Sequence, residues 1–439
     1  MMDQTQARPM AGIAAPLLFT ATLLFYLVTL TPFIDLSAAS AGDAATAKSN
    51  TLNQIVYLGL TAALWLTAFR SSARHLVARP RSILIVMLIW FAIASALSAQ
   101  PDLALKRVFL AMLTLVNGSI LLLLPRSERQ FAGMLTLCCL GALALAYLGV
   151  ALLPHFAIHQ ASEIREPMSA GLWRGHFAHK NVAAAAMVVI SFVGLYLFGT
   201  GRRLIGGVMV LLAAAFLTQT GGKSAIAALP GILAIAWAFE RWRALRVPMV
   251  VLGIAAINIL TIGCAMSPTI RGLIAQLGID PTFTNRVDIW KIGANAVLDK
   301  PLTGHGFQLF WQTDAMVHKG GAAAGWAYAA FNGHNAYLDM AITTGLPGLA
   351  LTLVLLVWLP LRDIGRAEAT ANDPALTRLF VRIWLYGILA ACVESLFFQS
   401  GSLIWFMLVV AIFGLHLQAS AHEIREPANH PRSLEPAHA

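Results

Sequence analysis

Charged residues are scarce in this sequence, and their scarcity excludes a water-soluble globular protein. Asp, Glu, Lys and Arg make up 11% of the 439 residues, whereas 58% are hydrophobic and the mean hydropathy is +0.73. Soluble domains carry about 25% charged residues. The composition therefore predicts an all-α polytopic membrane protein.

Cysteines and clustered carboxylates are also rare. The four cysteines lie within apolar runs, which favours packing and indicates neither a disulfide framework nor a thiol nucleophile. His176 and His179 have a spacing that could bring both rings to one helix face. No HExxH motif and no paired carboxylates accompany them, so a metal site is not expected.

Twelve apolar runs are long enough, or nearly so, to cross a hydrocarbon core about 30 Å thick. They lie near residues 11–33, 51–69, 82–99, 107–125, 130–153, 181–199, 203–219, 224–239, 247–266, 336–360, 377–397 and 401–418. The first run is longer than a signal-peptide core and is expected to be an uncleaved anchor. A Gly345-Leu346-Pro347-Gly348 break in the tenth run predicts either a kink or a helix end.

These runs divide the chain into four parts. Residues 1–266 are expected to hold transmembrane helices 1–9 with short loops and a smaller outward segment at 154–180. Residues 267–335 form one long outward loop with short helices. Residues 336–418 hold helices 10–12, and residues 419–439 form a tail. Because a long polar loop between spans is unusual, we expect function to reside there.

Lys and Arg are distributed unequally between the two sets of short loops. One set is rich in arginine, and the other contains only Lys48, Lys106, Arg107 and Lys223. Because basic loops stay in the cytoplasm, the arginine-rich side is predicted to be cytoplasmic, together with both termini. The formal charge of +10 is then mostly a topology signal, and nucleic-acid binding is not indicated.

The remaining basic residues lie against this bias in the two longer outward segments. Lys300 and Lys319 fit ordinary solvated residues. Arg174 and Arg286 each lie at a loop-to-helix junction among aromatic and small residues, where an anion could be held. Seven of the twelve histidines lie in the same two segments: His155, His159, His176, His179, His305, His318 and His334.

Three local patterns occur in order in these segments. They read WRGHFAHKN at 173–181, TNRVDIW at 284–290 followed by PLTGHG at 301–306, and GHNAYLD at 333–339 followed by GLPG at 345–348. Together they resemble the O-antigen ligase and polymerase superfamily over roughly residues 165–360. The resemblance implies bacterial inner-membrane glycosyltransferases that take glycans from undecaprenyl pyrophosphate and need no metal, nucleotide sugar or other cofactor.

Within this superfamily, the single dominant outward loop favours an O-antigen ligase over a polymerase. Such a ligase moves O-antigen polysaccharide onto a sugar hydroxyl of lipid A-core at the periplasmic face of the inner membrane, in lipopolysaccharide biosynthesis. The resemblance implies direct displacement with inversion. The sequence does not indicate an oligomeric state.

The chemistry of this reaction assigns roles to particular residues. A pyrophosphate leaving group needs permanent cations, which favours Arg286 first and Arg174 second, with Lys223 either a third cation or a snorkelling lysine. A sugar hydroxyl needs a base, and His334 matches the histidine of the family's His-Asn pattern. The other candidate substrate-binding residues are Asn335, which also fits a helix cap, and Tyr337, His176 and Trp290.

A transporter of lipid-linked glycan is the alternative from another class. It should show internal repeats and ionisable residues at mid-membrane depth, and no convincing repeat is found. Among the acidic residues and histidines, only Glu394 and His416 lie within apolar runs and away from the first turns of the spans. Glu394 fits either a position facing the site or a carboxylate wetted by a cavity.

Overall fold

The computed structural model describes residues 14–36, 41–163, 167–278, 280–283, 286–313, 316, 326–370 and 374–425. Arg165, His318 and Lys319 lie outside these ranges. The α-helices are α1 Ala14–Val28, α2 Ala41–Arg70, α3 Arg81–Ala96, α4 Pro101–Leu121, α5 Glu128–Leu152, α6 Pro154–Ala157, α7 Lys180–Gly199, α8 Arg203–Gln219, α9 Lys223–Arg241, α10 Arg246–Met266, α11 Pro268–Gln276, α12 Arg286–Asp299, α13 Ala336–Leu353, α14 Leu359–Thr370, α15 Pro374–Ala390 and α16 Leu403–Arg425.

The described residues form an all-α polytopic membrane protein. Eight helical stretches are long and apolar enough to cross a membrane, and three shorter apolar helices, α1, α3 and α8, accompany them. With α15, they coincide with the twelve predicted runs. A π-helical turn, Val354–Trp358, joins α13 to α14 into one stretch from 336 to 369. Short 3₁₀ helices occupy Ser72–Leu76, Pro167–Ser169, Arg243–Leu245 and Trp326–Ala329.

Two helices form the centre of the bundle, and three lie at its periphery. The stretch Leu403–Ser420 of α16 is 83% buried and α7 is 72% buried, whereas the apolar stretches of α2, α9 and α10 are each 22% buried. Because the outer helices remain strongly apolar, their exposed faces suit lipid rather than water.

The structure changes one predicted boundary and decides between the two alternatives at another. The eleventh run, 377–397, ends as a helix at Ala390, so Glu394 lies in the connection to α16 and not within a span. The tenth run bends at Gly345, whose φ of 70° and ψ of 178° are not helical, and the helix then continues. The break there is therefore a kink.

The connections gather at the two ends of the bundle. Hydrogen bonds join the α5–α7 connection to the α1–α2 connection and to the end of α8. Others join the α10–α13 connection to the α15–α16 connection and to Arg107 near the start of α4. We call this end of the bundle the loop end. At the opposite end, Arg246 and Arg243 pair with Glu368, and Arg378 pairs with Glu240. Two of the arginine-rich short connections, α9–α10 and α14–α15, thus meet at this end, and the long loop occupies the other.

Candidate active site

The long loop is anchored on the kink of α13. The backbone N–H groups of His305 and Gly306 donate to carbonyls of the turn before the kink, at 2.9 and 3.0 Å. A Cβ atom at Gly345 would lie 1.8 Å from the carbonyl oxygen of Leu302, and the positive φ of Gly345 also disfavours a side chain. The PLTGHG segment at 301–306 therefore packs directly against the kink formed by the GLPG segment at 345–348.

Asn335 fixes the start of α13 beneath the end of the loop. Its side-chain oxygen accepts from the backbone N–H of Leu338 at 2.9 Å, which caps the helix. Its Nδ2 atom donates to Asn258 Oδ1 on α10 and to the carbonyl of Cys392, both at 2.8 Å. The side chain is fully buried. These bonds account for a capping role and tie three segments together directly beside His334.

Arg286, Glu394 and His334 form a charged cluster at the loop end. The Nη2 atom of Arg286 lies 3.1 Å from Glu394 Oε1, and its Nη1 atom donates to the carbonyl of Val393. The Nδ1 atom of His334 lies 3.5 Å from Glu394 Oε2, which is long for a hydrogen bond. The three side chains are 22%, 34% and 34% exposed, so the cluster is accessible to a ligand.

The electrostatics of this cluster keep Glu394 ionised. Burial alone would raise the pKa of its carboxyl group, but contact with His334 and the charge of Arg286 outweigh burial and lower that pKa. The ionised carboxylate lies beside Nδ1 of His334, which leaves Nε2 as the nitrogen that could act as a base. Arg286 retains further N–H groups for an anionic ligand.

His334 is held in an unusual backbone conformation. Its φ is 45°, in the left-handed region that non-glycine residues rarely adopt. Its backbone N–H donates to Asn332 Oδ1 at 3.0 Å, and the N–H of Ala336 donates to the carbonyl of Ala391 at 2.8 Å. Such strain persists where the surroundings enforce it, often at functional sites.

Trp290 and Tyr337 support this region from buried positions. The indole N–H of Trp290 donates to the carbonyl of Gly333 at 2.9 Å, and the side chain is 1% exposed. The hydroxyl of Tyr337 donates to the carbonyl of Ile388 at 2.8 Å, and the residue is 6% exposed. The structure places both next to the segment that carries His334, but not on the accessible side of the cluster. Their substrate-binding roles stay predictions.

Arg174 and His176 lie in a separate buried group. Arg174 is 1% exposed and donates to the carbonyls of Ile34 at 2.5 Å and Phe177 at 3.2 Å. Burial lowers the pKa of Arg174 and of His176. The Nε2 atom of His176 donates to the carbonyl of Leu27 at 2.9 Å. Within the described ranges these bonds do not reach the Arg286 cluster, and a substrate role for either residue stays a prediction.

Two further points of the sequence analysis concern Lys223 and the spacing of His176 and His179, which was considered for a metal site. Lys223 is the first residue of α9 and is exposed. It follows the α8–α9 connection at the loop end. His179 caps α7 by accepting from the N–H of Asn181 at 3.1 Å, so it does not form a helix-face pair with His176. Among the described residues, no group of three or more His, Cys, Asp or Glu side chains could hold a metal ion.

The sequence leaves the role of Glu394 open and assigns no role to Asp339. The signal for Glu394 was its position as a rare ionisable residue in an apolar run. Asp339 stood inside the GHNAYLD pattern but had no stated partner. In the structure it accepts from the indole N–H of Trp311 at 2.7 Å, from the N–H of Gly333 at 3.0 Å and from the hydroxyl of Ser395.

Comparison with known proteins agrees with this arrangement. Residues 206–353 match the family described as O-antigen ligase, a range that includes Lys223, Arg286 and His334. The chain is also similar to the exopolysaccharide production protein ExoQ of Rhizobium meliloti (strain 1021), with 25% identity over 222 residues, 47% of this chain and 50% of that protein. The chain therefore spans about half the length of this curated relative.

The resemblance drawn from the three ordered patterns is confirmed by these matches. The chain is similar to the membrane polysaccharide ligases and polymerases of this superfamily. Glu394, Arg174 and His176 lie outside the matched range 206–353. For Glu394, the contact with Arg286 and His334 is the argument for including it in the site.

Proposed function

We propose that this protein is an O-antigen ligase, an inverting glycosyltransferase that needs no metal. It moves O-antigen polysaccharide from undecaprenyl pyrophosphate to a sugar hydroxyl of lipid A-core. The observation that carries the proposal is Glu394, which contacts both the cation and the base that this reaction needs. The family match over residues 206–353 supports the same reading.

Arg286 is the residue that we assign to the donor. Its guanidinium is permanently charged, is 22% exposed, and keeps N–H groups beyond those used by Val393 and Glu394. As the bond between the anomeric carbon and the pyrophosphate oxygen breaks, negative charge grows on that oxygen. Arg286 stabilises this charge at the point where the long loop meets the bundle.

His334 is the residue that we assign to the acceptor. Its Nε2 atom takes the proton of the sugar hydroxyl while the hydroxyl oxygen forms the new bond to the anomeric carbon. Glu394 lies beside Nδ1 and balances the charge of the imidazolium that forms. The carrier lipid leaves as undecaprenyl pyrophosphate, and the anomeric configuration inverts.

The proposed location is the bacterial inner membrane, with the site facing the periplasm. Two arginine-rich short loops, α9–α10 and α14–α15, meet at the end opposite the cluster, and basic loops are retained in the cytoplasm. This orientation puts both termini in the cytoplasm. It also puts the cluster on the side where the donor glycan and lipid A-core would meet.

A chromosomal His334→Ala exchange tests the proposal. We expect the whole O-antigen ladder to disappear from lipopolysaccharide gels while long chains accumulate on the carrier lipid. His155→Ala is the matched control, because His155 is a 53% exposed histidine of the other outward segment. An unchanged ladder in the His334 variant at normal protein level would remove His334 from the mechanism.

A polymerase of the same superfamily is the second candidate. The observation that favours it is the similarity to ExoQ, whose name assigns it to exopolysaccharide production. The same experiment separates the two candidates. Single repeats attached to the core in the His334 variant would indicate a polymerase, because ligation would persist without chain extension.

A further inference from the structure

A cavity of about 400 Å³ opens at the loop end beside the charged cluster. The start of α13, the long loop, the α15–α16 connection and Arg107 of α4 enclose it. Arg286, Glu394 and His334 do not line it. The cavity is therefore adjacent to the cluster but distinct from it, and its volume lies within the range of small-molecule pockets, about 300–1,000 Å³.

Aromatic rings provide the apolar walls of this cavity. The indole of Trp311 is fixed by its hydrogen bond to Asp339 at 2.7 Å, which leaves its ring as a rigid surface. Phe331 lines the cavity and is 65% exposed, although burial would be favourable for so large an apolar side chain. Phe397 contributes a third ring. Such rings offer flat contact area at low entropic cost.

Amide, carboxylate and guanidinium groups provide the polar part of the lining. Asp339 accepts three hydrogen bonds from the protein, and a carboxylate has about four acceptor positions. Asn332 accepts the backbone N–H of His334 at Oδ1, and this bond leaves its amide N–H groups for a ligand. Gln399 is exposed at the edge of the cavity.

We propose that this cavity binds a sugar ring of the glycan, on the far side of the segment that carries His334. Among the described residues that line the cavity, one cation, Arg107, accompanies one carboxylate, Asp339, so this part of the lining has no excess of the positive charge that favours a phosphate. Its amides and carboxylate are equally unsuited to an acyl chain. A pyranose, with apolar ring faces and a rim of hydroxyls, matches both kinds of wall.

One residue, Asn332, connects the cavity with the backbone of His334, the proposed base. Asn332 lines the cavity, and its Oδ1 atom accepts the backbone N–H of His334 at 3.0 Å. A sugar bound against Asn332 therefore lies next to the chain segment that orients the imidazole. This inference rests on the proposed function, because it assigns the cavity to the glycan that the protein transfers.

Saturation-transfer NMR on the full-length protein in detergent micelles tests the inference. The probe is the oligosaccharide released by mild acid from the carrier lipid of the host cell, free of lipid and phosphate. Phe331→Ala removes an exposed aromatic ring from the cavity lining. Gln399→Trp places a larger side chain at the edge of the cavity and removes none of its aromatic rings. We expect each to weaken oligosaccharide binding by at least about tenfold. Leu302→Ala, at a 67% exposed position of the same loop outside the cavity, should bind as wild type.

The outcomes separate this inference from the proposed function. His334→Ala should still bind the oligosaccharide while it no longer transfers glycan, which supports both. Full binding by both cavity variants, or no binding by the folded wild-type protein, overturns the sugar site and leaves the His334 result unaffected. Equal loss in Leu302→Ala would also overturn it, because the effect would then not belong to the cavity.

Discussion

The guanidinium of Arg286 lies 3.1 Å from the carboxylate of Glu394, a residue 108 positions later in the chain. The second oxygen of that carboxylate lies 3.5 Å from His334 Nδ1. The first residue of α12, the end of the long loop and the α15–α16 connection thus meet at one carboxylate. Because Glu394 touches both partners, its removal should affect transfer more than the loss of one surface ion pair would.

Glu394→Gln should reduce glycan transfer by at least about tenfold, because the amide cannot balance an imidazolium on His334. The change keeps the shape of the side chain and one hydrogen bond to Arg286. Transfer is measured with purified protein and lipid-linked donor, at equal amounts of folded protein. The control is Glu368→Gln, which breaks the pair with Arg246 at the opposite end and should leave the rate unchanged. Equal rates for both variants would remove Glu394 from the site.

Arg286→Lys should also lower transfer by at least about tenfold. A lysine keeps the charge but lacks the planar fork that bonds to Val393 and Glu394 together. The α15–α16 connection should loosen at the same time, and limited proteolysis of residues 391–402 measures this. Retained activity with a loosened connection would show that Arg286 acts on structure alone. Arg271→Lys, elsewhere in the long loop, is the matched control.

The lowered pKa of Glu394 predicts a specific acid sensitivity. A carboxylate whose pKa in the folded protein lies below its ordinary value of 4.5 contributes stability above that value. The contribution is lost as the pH falls from about 4.5 through the lowered pKa. The difference in Tm between wild type and Glu394→Gln should therefore shrink as the pH falls below about 4.5. A difference that grows below about pH 4.5 would contradict the assignment.

Gly345→Ala should destabilise the protein by more than about 2 kcal/mol, because it adds a clash to an unfavourable positive φ. The new Cβ atom would meet the carbonyl of Leu302 at 1.8 Å and displace the 301–306 segment from the kink. Tm in detergent and the yield of monodisperse protein measure the effect. Gly231→Ala is the control, because nothing lies within 4 Å of a Cβ atom there and alanine favours the helix. Equal stability of both variants would show that the kink tolerates a side chain.

The helices could be predicted because each apolar run carries its own signal. All twelve runs coincide with helices, since a span satisfies its backbone hydrogen bonds within one segment. The helix end at Ala390 could not be read in this way. The residues after it are apolar enough to continue a span. In the structure the helix ends there, because the carbonyl groups of Cys392 and Val393 accept hydrogen bonds from Asn335 and Arg286, which belong to distant segments.

The sequence by itself determined the membrane class, the unequal distribution of arginine and the candidate residues Arg286 and His334. These properties follow from composition, local periodicity and short ordered patterns. Only the tertiary structure decided that Glu394 joins those two residues, that Arg174 is buried in a separate group, and that Asp339 lies on a cavity. Each of these depends on long-range contacts between loop-end segments, and the pairing of such segments is fixed by helix packing rather than by nearby sequence.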